Sequence, residues 1–205
     1  STGQVNGDDD TVAGSITLQV GASTDEAHAG DITLFAGDSQ TSTGGSIAMT
    51  TGISAQVGSG SMKIETGTAN DGSVGSGAIE MTTGVASGDS GLIKVATGSS
   101  SIQSGGNIVL SVGSSGQGIG GDISVVAGTS TTATGGDITL SSGSSVEGAS
   151  GRVIIESKNA GSSEGSGSVE INTGTSPTKN SGSNKSSIGA SSVFSIGSIT
   201  LSVGT

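Results

Sequence analysis

The chain has 205 residues but no cysteine, no tryptophan, no tyrosine, two phenylalanines and one proline. Each shortage excludes something. Without cysteine there is no disulfide and no thiolate metal site, and redox chemistry says nothing about compartment. The near-lack of aromatics removes the side chains around which a globular domain of this length normally builds its core. A single proline, with glycine not recurring at every third position, excludes collagen. Six Lys and Arg stand against seventeen Asp and Glu, for a net charge of −11. No basic stripe exists, so nucleic acid is an improbable partner. No run of eighteen apolar residues is present to span a membrane, and no signal-peptide pattern is visible.

What is abundant is glycine, 40 residues of it, together with serine and regularly spaced aliphatics. High Gly and Ser content usually marks disorder or a linker. The regular aliphatics and the low charged fraction, 11%, argue otherwise. "GGDITLSSGSS" at 135–145 is nearly repeated from "GGDISVVAGTS" at 120–130. The first large aliphatic of each phrase serves as its anchor. The anchors are Ile16, Ile32, Ile47, Met62, Ile79, Ile93, Ile108, Ile123, Ile138, Val153 and Val169, followed after thirty residues by Ile199. Spacings are 14 to 17, mostly 15, and Asn184 marks the midpoint of the long gap, giving thirteen copies.

The columns within the phrase are stricter than its length. The residue two before the anchor is Gly in all thirteen copies. The residue five after it is Gly in twelve, with Lys158 the exception. Two positions beyond that second Gly the residue is Ser or Ala in all twelve copies that reach it, from Ser23, Ser39, Ser54 and Ala69 to Ser191. Anchor and anchor+2 are large and aliphatic (Ile108 and Leu110, Ile138 and Leu140), whereas anchor+1 and anchor+3 are mixed. All three methionines fall in the apolar columns, as core filler would. Alternation of period two predicts a strand with one buried face. Anchor+4 is Val, Ala, Thr, Ser or Ile, suiting a semi-buried corner, and the glycine after it is expected to turn the chain through angles other residues resist.

These features predict an all-β fold without α-helix: a thin parallel β-solenoid of about thirteen coils, roughly fifteen residues each. The rod would be roughly 60 Å long at the usual strand spacing. The Ser/Ala column is expected to face the Ile/Leu wall across a slot too narrow for larger side chains. A lone coil cannot stabilise itself, so only a stack should fold. Residues 1–13 are read as a partial preceding coil with an acidic loop and 14–176 as the regular array. Residues 177–198 are read as a degenerate coil or loop, and 199–205 as the start of the next coil. Polar caps are not evident, "STG" at 1–3 reads as the tail of a strand, and the first residue is not Met. The chain is therefore expected to be a slice of a longer array, or else a unit that stacks end to end in a fibre, with any leader removed or outside it.

Few residues suggest chemistry. Asp8, Asp9 and Asp10 cluster in one loop, and clustered carboxylates suit a hard cation such as Ca²⁺, but a solvated acidic loop is the plainer reading. Asp122, Asp137 and Asn107 open their phrases as in calcium-binding β-rolls, yet the tandem G-G-x-G-x-D pattern is missing and the period is wrong. His28 is the only histidine, beside Asp25 and Glu26, and lacks an evident partner set. Matches to G-x-S-x-G carry no weight in a chain so rich in Gly and Ser. Arg152 is the only arginine, far from what a polysaccharide-cleaving solenoid requires. No catalytic residue and no cofactor are assigned. Ice binding needs an unbroken Thr ladder, but anchor+1 runs through Thr17, Thr33, Ala48, Lys63, Glu80 and Lys94. Asn184-Lys185-Ser186 is the only N-glycosylation sequon, and the register would point Asn184 inward.

The phrase G-G-D-I-T-L-x-x-G-x-S resembles the tandem Gly/Ser/Thr-rich repeats of large extracellular proteins of marine microalgae and of phage fibres. The resemblance covers most of the chain and transfers no functional residue. It implies a structural module of an extracellular fibre, appendage or wall. The alternative is an adhesin or ice-binding module that uses one outward face. Expected partners are further copies of the repeat, other chains of a fibre, or glycans.

Overall fold

The structure, a computed structural model of the chain, describes residues 14–23, 28–70, 75–161, 164–191 and 197–203. Among them there is no helix and no strand. The expected β-solenoid is therefore overturned: the described chain is mostly coil, and it has no buried residue of any type. Two units are distinguished, Ser1–Ala96 and Thr97–Thr205.

The fifteen-residue period nevertheless persists as local geometry. Bends fall at 40–42, 55–57, 101–103, 116–118, 131–133, 146–148 and 177–179. Each lies just beyond the Ser/Ala column, and the serine explains it. Its Oγ accepts a backbone N–H from two or three residues ahead. Ser42 N–H donates to Ser39 Oγ at 3.0 Å, Val57 to Ser54 at 3.1 Å and Gln103 to Ser100 at 3.1 Å. Gly118 donates to Ser115 at 2.8 Å and Gly148 to Ser145 at 2.8 Å. Ala133 donates to Ser130 at 2.9 Å, and Lys179 to Ser176 at 3.1 Å. A short hydroxyl side chain can hold such a turn because it reaches its own backbone. Where the column is serine it is thus accounted for by a hydrogen bond inside the phrase; its alanines have no hydroxyl, yet a bend at 87–88 follows Ala86, and Ala69 is half-buried. Ser39, Ser54, Ser100, Ser115, Ser130, Ser145 and Ser176 are themselves exposed, so they do not line a slot.

Around four of these bends an arc closes between the two glycine columns. In the Ser1–Ala96 unit, Gly45 N–H donates to Gly37 O at 2.8 Å and Gly60 to Gly52 at 3.0 Å. In the Thr97–Thr205 unit, Gly136 donates to Gly128 at 2.9 Å and Gly151 to Gly143 at 2.9 Å. No described glycine has a positive φ, so a left-handed corner is not why glycine is there. Close approach is the reason at anchor−2. A Cβ on Gly45 would lie 3.1 Å from Gly37 N and 3.2 Å from Ala36 Cβ, and one on Gly121 would lie 2.9 Å from Val112 Cγ1. The anchor+5 glycines Gly37, Gly52, Gly113, Gly128 and Gly143 would meet nothing within 4 Å. The only break in either column, Lys158, falls in that open column. In the next phrase, the anchor−2 glycine Gly167 likewise has nothing within 4 Å of its Cβ position.

The semi-buried corner expected at anchor+4 is present in part. Ala36, Thr51, Thr66 and Ala127 are half-buried, each beside the anchor−2 glycine of the following phrase. Between arcs run limbs of about six residues with no regular secondary structure. Their side chains alternate. Lys63 Nζ meets Glu65 Oε1 at 2.7 Å, Ser168 Oγ donates to Glu170 Oε1 at 3.2 Å, and Lys158 pairs with Glu156. All three contacts join residues i and i+2, which share a side only in extended chain. They are exposed and contribute little to stability. The physical reason for the missing solenoid is visible here. A stack needs limb-to-limb ladders and a sheltered apolar face. The specific bonds of each phrase instead lie within its arc, and the aliphatics remain open: Ile108 is 50% and Leu110 73% exposed.

Two substitutions test this account. Ser130→Ala removes the acceptor of the Thr132 and Ala133 N–H groups. Amide exchange there should quicken about two- to tenfold, as for one net hydrogen bond, while Ser130→Thr should keep it slow; equal exchange in all three forms would refute the cap. Gly45→Ala should disrupt its arc, seen as amide shift changes from Gly37 to Gly45. Gly37→Ala should be tolerated or stabilise the arc by about 0.4–1 kcal/mol through the unfolded chain.

Candidate functional site

Among the described residues the chemistry-bearing side chains are dispersed, each phrase contributing at most a few. Asp122 and Asp137 open consecutive phrases and Asn107 the phrase before them; all three are exposed, and no bond joins them. Among the described residues, no group of three or more His, Asp or Glu side chains could hold a metal ion. The calcium candidates Asp8, Asp9 and Asp10 lie outside the described residues, as do Asp25 and Glu26 beside His28. His28 and Arg152 are exposed.

Asn184 is placed more definitely. Its Nδ2 donates to the Ile171 carbonyl oxygen at 3.0 Å, a contact across thirteen residues. Ile171 is the anchor+2 residue of the preceding phrase, so the amide crosses from one limb to the one before it. The sequon nitrogen is engaged with backbone, although the residue itself is exposed. Thr97 makes a related contact, its Oγ1 donating to Gly106 O at 3.3 Å and tying an anchor+4 side chain to the next anchor−2 glycine.

What the sequence does separate within each limb is charge. Every charged residue lying from anchor−1 to anchor+3 sits at an odd position: Asp122 and Arg152 at −1, Glu80 and Lys94 at +1, Glu65 and Glu156 at +3. In extended chain these face away from anchor and anchor+2. Sequence reasoning noted the mixed columns but not that the segregation extends to anchor−1; the signal was present in Asp31, Asp122, Asp137 and Arg152. The serines of the bends were found as a column, but their role as hydrogen-bond acceptors was missed. No family model, no curated protein and no solved structure matches the chain. Among the described residues, no helix is long and apolar enough to cross a membrane.

The dispersal of carboxylates has a direct test. Asp122→Asn combined with Asp137→Asn should leave the calorimetric response to Ca²⁺ unchanged. A lost or weakened binding event in the double variant would mean that separate phrases converge on an ion.

Proposed function

We propose that the chain is a structural repeat module of an extracellular or cell-surface fibre, appendage or wall assembly, and that it works without catalytic residues. One observation carries this reading: a serine-capped bend recurs in step with the fifteen-residue period, closed in four arcs by a glycine-to-glycine hydrogen bond, while among the described residues no three His, Asp or Glu side chains gather at one place. A chain built this way offers one surface many times over instead of one pocket once. Repetition suits assembly, where many weak identical contacts add along a length. The excess of negative charge keeps such a chain dispersed until counter-ions or a partner offset it.

The second reading, an adhesin or ice-binding module, gains no specific support. Ice recognition needs a flat array of hydroxyls at constant spacing, and the outward anchor+1 column is broken by Lys63, Glu80 and Lys94. The residues with recurring hydroxyls are the bend serines, whose oxygens already accept backbone N–H groups.

Gold-labelled antibody against the chain should decorate the outside of intact producing cells, on fibres or wall material. Label confined to the interior of permeabilised cells would overturn the reading. In the same series, the purified chain should be blank for ice recrystallisation and polysaccharide binding; activity in either would favour the second reading.

A further inference from the structure

Twelve of the thirteen phrases keep large apolar residues at both anchor and anchor+2. The exception reads Asn184, Lys185, Ser186 where its neighbours read Val169, Glu170, Ile171 and Ile199, Thr200, Leu201. The departure is confined to those columns. Gly182 at anchor−2, Gly189 at anchor+5 and Ser191 two positions beyond it all stay in place. One phrase has thus exchanged its two aliphatics for the asparagine and the hydroxyl of an N-glycosylation sequon while keeping its framework. None of the chain's six other asparagines has Ser or Thr two residues on.

The local geometry leaves this amide able to take a sugar. Asn184, Lys185 and Ser186 are all exposed, contrary to the inward position that the register predicts for Asn184. Nδ2 of Asn184 donates to the Ile171 carbonyl oxygen at 3.0 Å. A side-chain amide nitrogen carries two hydrogens, and that bond uses one of them. Attachment of a sugar replaces one hydrogen and leaves the other to donate. The contact with Ile171 and a glycan on the same nitrogen are therefore compatible.

Resting on the extracellular reading above, we infer that Asn184 is an N-glycosylation acceptor, with Ser186 completing its recognition sequence. The donor is an oligosaccharide carried on a lipid diphosphate. The bond from Nδ2 to the sugar C1 forms as the bond from C1 to the diphosphate oxygen breaks. The lipid diphosphate leaves with the electron pair, and one Nδ2 proton passes to a base of the transferase. A glycan is bulky and solubilising, and in this phrase alone it displaces no aliphatic from anchor or anchor+2. A plain structural tie to Ile171 would need Asn184 but not Ser186, which takes no part in that bond.

Peptide mapping of the chain from the cells that make it, after glycan release by an amidase in heavy-oxygen water, tests this. Asn184 should be recovered as aspartate carrying the heavy oxygen, and Asn172 and Asn180 should not. The full chain, passed through the secretory pathway of a glycosylating host, should run on a denaturing gel as a slower species that the amidase shifts back. Asn184→Gln and Ser186→Ala should each lose that shift, and Asn180→Gln should keep it. Ser186→Ala retains the amide that bonds to Ile171, and the denaturing gel reads the glycan whether or not a variant folds. An unmodified Asn184 in the native chain, or a shift that survives Ser186→Ala, overturns the inference. Antibody labelling outside the cells with Asn184 unmodified would sink this inference alone. Interior labelling with Asn184 glycosylated would sink the structural reading alone.

Discussion

The hydrogen bond between one glycine's N–H and the carbonyl of another eight residues earlier organises this chain. Gly45 with Gly37, Gly60 with Gly52, Gly136 with Gly128 and Gly151 with Gly143 each shut an arc whose interior is turned by a serine hydroxyl. The two columns are not equivalent. The donor glycine sits where an added Cβ would press on Ala36, Thr51 or Ser142 at 3.2–3.3 Å, while the acceptor glycine has open space around it. Composition follows from this division: one column tolerates no replacement in this chain and the other admits Lys158.

Between arcs the side chains of residues i and i+2 meet at Lys63–Glu65, Glu156–Lys158 and Ser168–Glu170, as they do in extended chain. Charges keep to the odd positions of the limbs, whereas aliphatics fill the even ones and also some odd ones, such as Leu92, Val109, Val126 and Ile154. Such a limb has no internal means of hiding its aliphatics, because two large aliphatics per phrase cannot offset the ordering of fifteen backbones without neighbours to cover them. This is why the described residues include half-buried Ala36, Thr51, Thr66, Ala69 and Ala127 but nothing deeper.

The period, the alternation and the semi-buried corner were legible in the sequence because each is written in side-chain size at fixed spacing. The solenoid was not, because a period reports only that a conformation recurs. It does not report whether successive copies stack. The Ser/Ala column illustrates the difficulty. A small side chain is compatible with a narrow slot and with a turn that caps itself, and the two differ only in where the Oγ finds its partner; Ser115 and Ser145 find it three residues ahead. The glycines were similarly ambiguous, since close approach and unusual backbone angles both select the same residue. Of the candidate site, little was there to read. Asp122, Asp137, Asn107, His28 and Arg152 remain apart, and Asn184 proved to be bound to the Ile171 carbonyl.

Closure within a single arc has a genetic corollary. Each arc is completed by a glycine, a serine and a second glycine that all lie within nine successive residues, as from Gly143 to Gly151. Replication slippage that deletes or duplicates one whole phrase would carry a complete set of these partners with it, and the junction would again read limb, arc, limb. Copy number can therefore drift without compensating mutations elsewhere, whereas a frame-preserving loss of a few residues inside an arc would separate a donor from its acceptor.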